Sequence, residues 1–158
     1  PVRTDEDFRL LRFMEARLRQ VGDAPHAGVE ELLAGRGLAN LHAFAAEEAG
    51  AMALASSAEV LAALDRGDPV ASHAARLYVH TLGQMLADQA LIHLPYGGIY
   101  LIGGMSRAMA PHFARFGLEQ SFREARRVDL LQRDFSIYVV EDDYAALTGC
   151  AVYLNTAA

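Results

Sequence analysis

Gly97-Gly98-Ile99-Tyr100-Leu101-Ile102-Gly103-Gly104 reads as a short buried strand framed by two glycine pairs. The second pair, Gly103-Gly104, opens directly onto Met105-Ser106 and a helical pattern. A strand that turns on glycine into a helix lets another backbone or a flat ligand approach without a Cβ in the way. The same junction serves as plain packing in many α/β proteins, so the octet speaks to architecture before it speaks to a ligand.

Downstream, Phe135-Ser136-Ile137-Tyr138-Val139-Val140 is a second strand, and 143–154 is an apolar helix containing Cys150. Between the strands lie helical patterns at 106–116 and 118–127. Strands separated by helices predict a parallel pair joined by a crossover. Upstream, Phe8, Leu11, Met14 and Leu18 recur at helical spacing, predicting an amphipathic helix over 5–20 with Thr4 as N-cap and Asp5-Glu6-Asp7 in its first turn. Gly22-Asp23-Ala24-Pro25 breaks it. Short helices follow at 28–34 and 37–49, stopped by Gly35 and Gly50, and Ser57 is read as the cap of a helix over 58–66. From Pro69 to His93 only Gly83 interrupts a run rich in Ala, Leu, Val, Met and Tyr, the signature of one long, largely buried helix. The fold class is therefore α/β, helix-dominated, with two parallel strands. Two strands make a poor sheet by themselves, which predicts further strands supplied from outside this stretch of chain.

A length of 158 residues with 53% apolar composition suffices for one domain with a real core. The net charge is −6, and all 14 basic residues are arginines scattered along the chain. A nucleic-acid surface needs a clustered basic face, so nucleic acid is excluded as a partner. A single cysteine, Cys150, excludes an internal disulfide and fits a reducing cytoplasm. No signal peptide is visible and no apolar run is long enough for a membrane span.

Chemistry-bearing groupings are few. His26 and Glu30 stand four apart, the spacing of a helical metal pair, but a site needs a third ligand and the other histidines (42, 73, 80, 93, 112) are dispersed. No protein-ligated metal is expected. Glu141-Asp142-Asp143 reads as a solvated loop capping the last helix rather than as a magnesium site. Ser, Cys and His show no nucleophile–base pattern. Gly35-Arg36-Gly37 is either a plain helix-to-helix turn or a loop touching a ligand.

Taken together, Glu30-Glu31-Leu32-Leu33 before Gly35-Arg36-Gly37-Leu38-Ala39-Asn40-Leu41, then the glycine-framed strand, then Ala146-Leu147-Thr148-Gly149-Cys150-Ala151, resemble the C-terminal part of the bacterial glucokinases. These belong to the actin-like sugar kinase superfamily, and the resemblance runs from about Asp5 to Leu154. It implies a partial C-terminal lobe of an actin-like ATPase (RNase H-like) fold, with residues 1–158 as one domain and the N-terminal lobe missing. That lobe would carry the D-x-G-G-T phosphate loop and the general-base aspartate, neither of which occurs here. The resemblance further implies ATP-dependent phosphorylation of glucose, or a related hexose, at the 6-hydroxyl with Mg²⁺. Glu30 would bind the sugar, Gly103, Gly104 and Met105 would form the adenosine wall, and Asn40 would be structural. The partners implied are the sugar, ATP and the N-terminal lobe, with room for a homodimer. Three departures stand out: Arg36 replaces a proline, Pro111 comes late after the glycines, and Phe122-Arg123-Glu124-Ala125-Arg126-Arg127 replaces a phenylalanine–lysine–glycine–arginine stretch. A sugar-sensing or regulatory domain that kept the lobe and lost the chemistry is the rival reading; a helical interaction protein is the third.

Overall fold

A computed structural model describes residues 2–124 and 135–156. Its helices are α1 (Asp5–Gln20), α2 (Val29–Leu33), α3 (Gly37–Ala49), α4 (Ser57–Asp65), α5 (Pro69–His93), α6 (Gly104–Phe113), α7 (Leu118–Phe122) and α8 (Ala145–Thr156). Strand β1 (Ile99–Leu101) precedes α6, and β2 (Ile137–Val139) precedes α8.

The long helix α5 is the centre of the core. Ala71, Ala74, Ala75, Val79, Ala87 and Ala90 are fully buried along it, so neighbouring helices can approach its backbone closely. α3 packs on it through Leu38, Leu41 and Phe44, and α4 through Val60 and Leu64. Each such side chain contributes about 1.5–3 kcal/mol by leaving water. α7 lies so near α5 that a Cβ on Gly83 would come within 2.5 Å of the Ser121 Cβ. Alanine-rich sequence thus becomes tight helix packing, which the wide apolar face of 69–93 foretold.

The two strands pair in parallel, with Ile99 opposite Ile137, Tyr100 opposite Tyr138 and Leu101 opposite Val139. Alternation turns Leu101 into the core and leaves Tyr100 and Tyr138 stacked on the open face, ring centroids 5.1 Å apart. The crossover through α6 and α7 follows the sequence expectation. The strands themselves are three residues each, shorter than the apolar runs that encode them.

Several boundaries differ for local reasons. Ser56, not Ser57, caps α4: it is extended and its Oγ accepts from the Glu59 N–H (3.2 Å). Ser57 is already helical, and its hydroxyl is engaged elsewhere, donating to the Gly35 carbonyl (2.7 Å). α6 starts at Gly104 rather than 106 because Gly103 makes the break, and it continues through Pro111 to Phe113. A proline there removes one backbone bond without ending the helix. α7 stops at Phe122, and the rest of the 118–127 expectation falls on residues outside those described. The last helix is shifted to 145–156 and has no buried residue: Tyr144 just before it and Leu147, Val152, Tyr153 and Leu154 on it are 58–71% exposed. No helix among the described residues is long and apolar enough to cross a membrane.

α1 is fixed by charge as well as by Leu10 and Met14. Its capping box is complete, with Thr4 Oγ1 accepting from the Asp7 N–H (3.1 Å) and the Asp7 carboxylate accepting from the Thr4 N–H (2.9 Å). Glu6 reaches α5, where His73 Nε2 (2.8 Å) and Arg76 Nη2 (2.7 Å) both donate to it. Burial alone would raise the Glu6 pKa, but the bonds from Arg76 and His73 outweigh it and hold the carboxyl below its ordinary 4.5. A carboxylate with a depressed folded-state pKa stabilises above its unfolded pKa and loses that contribution as pH falls through the folded one. The thermal midpoint should therefore fall as pH drops below the carboxylate range. Glu6→Gln should lower the midpoint at pH 7 and flatten part of that fall; identical pH profiles would show that Glu6 contributes nothing.

Candidate functional site

A helix of five residues has no stability of its own, so α2 must be held from outside. Its backbone is tied to two neighbouring helices, and the loop after it to a third. Asn40 Nδ2 on α3 donates to the Glu31 carbonyl (2.8 Å), and the Tyr78 hydroxyl on α5 donates to the Leu33 carbonyl (3.3 Å). Burial pushes the Tyr78 phenol up to about 12, so it stays a donor throughout the working pH range. Ser57 on α4 closes the loop that follows, donating to the Gly35 carbonyl and accepting from the Ala39 N–H (3.2 Å). At Gly37 the chain passes so close that a Cβ would sit 2.2 Å from the Leu32 carbonyl oxygen. Only glycine fits there, which explains the second glycine of Gly35-Arg36-Gly37 by packing alone.

The two adjacent acids of α2 have different roles. Glu31 is half-buried, and its Oε2 accepts from the Gly28 N–H at the helix start (2.7 Å). That backbone bond, with Arg36 nearby, holds its pKa below the ordinary value. Glu31 is therefore a capping residue, half of a capping box whose N-cap, Gly28, has no side chain to complete it. Glu30 instead projects outward, its side chain 72% exposed, with Arg36 Nη2 3.4 Å from its Oε1. Such an ion pair between two exposed side chains is worth at most about 1 kcal/mol and leaves the carboxylate available.

The turn at Gly103-Gly104 lies elsewhere on the molecule: α2 packs on α3 and α5, whereas α6 packs on β2. Gly103 has φ +111°, a region L side chains avoid, and no atom lies within 4 Å of where its Cβ would be. The turn therefore presents bare backbone to open space at the start of a ten-residue helix, whose first N–H groups have no side-chain cap. Gly104 is ordinary in backbone, and a Cβ on it would meet only Arg107 Nη2, at 4.0 Å. Met105 is half-buried and packs against the core, so it forms a fixed apolar edge to the turn. Room, bare amides and an apolar edge together suit a flat, polar-rimmed ring such as a nucleobase.

Among the described residues one grouping could hold a metal ion: Glu6, Glu48 and His73, with ligand atoms within 4.8 Å of one another. No spacing in the chain signals it, because its members come from α1, α3 and α5. Arg76 already bonds Glu6, and Arg9 Nε donates to Glu48 Oε1 (2.6 Å). An arginine-filled set that includes an imidazole does not suit Mg²⁺, which prefers oxygen donors, water and phosphate. Glu141-Asp142-Asp143 likewise makes a turn: Asp142 Oδ1 accepts from the Tyr144 N–H (2.8 Å), and Asp143 pairs with Arg107.

The sequence pattern that defines the glucokinase family matches residues 1–157. A glucokinase from Mesorhizobium japonicum is 31% identical over 153 residues, covering 96% of this chain and 43% of the relative. A glucokinase from Rhizobium meliloti is 32% identical over 156 residues, covering 98% and 44%. The crystal structure of a glucokinase from an Antarctic psychrotroph superposes with a TM-score of 0.84 at 22% identity, covering 99% of this chain and 47% of that one. The chain thus spans less than half the length of the relatives it matches.

Proposed function

This chain belongs to the glucokinase family, and from that premise we propose that it is the C-terminal lobe of an ATP-dependent kinase that phosphorylates glucose at its 6-hydroxyl. The observation that carries the reading is the contrast on α2, where one acid is consumed as a cap and its neighbour points outward beside Arg36, on a backbone held from α3 and α5 and followed by a loop held from α4. An exposed carboxylate on a helix whose backbone is tied down is a good acceptor for adjacent sugar hydroxyls, since its two oxygens match their spacing. Glu30 binds and orients the sugar. The backbone of Gly103 and Gly104, with Met105 as edge, lies against the adenosine of ATP.

The general base belongs to the N-terminal lobe, as do the loops that hold the phosphates. Mg²⁺, when bound, neutralises charge on the phosphate oxygens; no described side chain of this lobe is assigned to it. The exposed apolar surface of α8 and the open face of the two-stranded sheet supply area for that second lobe to cover. Closure of two lobes over the sugar excludes water and limits ATP hydrolysis, in a protein we place in the cytoplasm.

The experiment is direct. The purified 158-residue chain, in a coupled NADPH assay with glucose and ATP, should stay at background. Adding the separately produced N-terminal lobe should restore glucose-dependent turnover. Turnover by the chain alone would put the catalytic base inside it and overturn the division of labour.

A further inference from the structure

Arg107 sits in the first turn of α6, three residues past Gly104. Its side chain folds back over the turn, bringing Nη2 to 4.0 Å from the position a Gly104 Cβ would take. The same nitrogen donates to Asp143 Oδ1, in the turn that leads into α8, 36 residues along the chain. Asp143 is held in turn by its neighbours, because the Asp142 carboxylate and carbonyl accept from the Tyr144 and Ala145 N–H groups (2.8 and 3.3 Å). The guanidinium is three-quarters covered while its partner is 70% exposed.

Arg107 also carries a defect. Its Nη1 is buried and, among the described residues, is the buried side-chain polar atom with no hydrogen-bond partner. A buried N–H without an acceptor destabilises a fold, and an ion pair to an exposed acid returns little. The arrangement is therefore poor as a stabilising device. What it does well is fix geometry, since a planar guanidinium clamped at one end cannot rotate freely.

We infer that Arg107, clamped by Asp143, is a positioning residue for the phosphoryl donor: it sets the Gly103-Gly104 turn at the height the adenosine needs and ties that turn to the start of α8. This rests on the nucleotide reading of the turn. The pair makes adenosine seating sensitive to where α8 stands, and α8 is the element whose apolar surface is left for the other lobe.

The test uses the full-length protein. Arg107→Met keeps the aliphatic stem and deletes both the charge and the orphaned N–H. The expected result is a thermal midpoint unchanged or raised, a KM for ATP raised about tenfold, and a KM for glucose and kcat within twofold of the parent. Asp143→Asn should move the KM for ATP in the same direction, and the double variant should be no worse than the more damaged single one. A lowered midpoint with equal loss for both substrates would make Arg107 merely structural and overturn the inference. So would additive effects in the double variant. Gly104→Val separates the two layers: if it leaves the KM for ATP untouched, the nucleotide reading itself falls. If Gly104→Val weakens ATP while Arg107→Met does nothing, only the positioning role is lost.

Discussion

Glu30→Gln in the full-length protein is expected to raise the KM for glucose by roughly 10- to 100-fold. Losing a charged hydrogen-bond acceptor costs about 1–3 kcal/mol per bond, and a factor of ten corresponds to about 1.4 kcal/mol. The fold should not notice, because Glu30 is exposed and its ion pair with Arg36 is long. Glu31→Gln, one residue on, should do the opposite. Gln keeps an oxygen that can accept from the Gly28 N–H and loses only the charge beside Arg36, so the thermal midpoint should fall slightly, by less than about 1 kcal/mol of stability, while the KM for glucose barely moves. Steady-state kinetics and thermal melts on the two variants separate binding from scaffolding on adjacent residues. An unchanged KM in Glu30→Gln would return that acid to the solvated surface.

Gly104→Val carries the second large effect, on ATP. Gly104 has an ordinary backbone conformation and free space around its missing side chain, so valine can be accommodated in the fold. Its methyl groups would occupy the ground proposed for the nucleobase. Intruding methyl groups cost about 1–3 kcal/mol, so the KM for ATP should rise roughly tenfold or more while that for glucose stays near the parent's. Gly103→Ala is the structural counterpart. With φ at +111°, a Cβ there is strained by about 1–3 kcal/mol, and the thermal midpoint should drop. A folded Gly104→Val protein with parental ATP kinetics would exclude the contact.

Much of this molecule was legible in the chain, and the illegible parts share a cause. Helix α1 with its Thr4 cap, the stops at Gly35 and Gly50, and the long buried α5 follow from periodicity and breakers, which are local. The parallel pairing of β1 and β2 follows from the helices between them. The cap of α4 is not legible, because two serines stand together and only the fold shows that Ser57 is needed by Gly35, 22 residues upstream, leaving Ser56 to cap. Glu30 stands out in the sequence only through its place before the glycine turn, and nothing in the sequence says that Glu31 turns back to cap while Glu30 points out; that depends on how α2 is seated. The meeting of Arg107 with Asp143, and of Glu6 with His73 and Glu48, needs three-dimensional proximity that no spacing rule contains.

The stacked pair of Tyr100 and Tyr138 has a practical use. The protein has no tryptophan and six tyrosines, so its ultraviolet spectrum is a tyrosine spectrum throughout. Two phenol rings 5.1 Å apart and 21° from parallel couple their electronic transitions, and only the native register of the two strands brings them together. Near-ultraviolet circular dichroism therefore contains an optical label for that pairing, already installed and needing no dye. Because both rings stand half-exposed on the open face of the sheet, the same signal should shift when another surface settles over them, giving a real-time readout of lobe assembly.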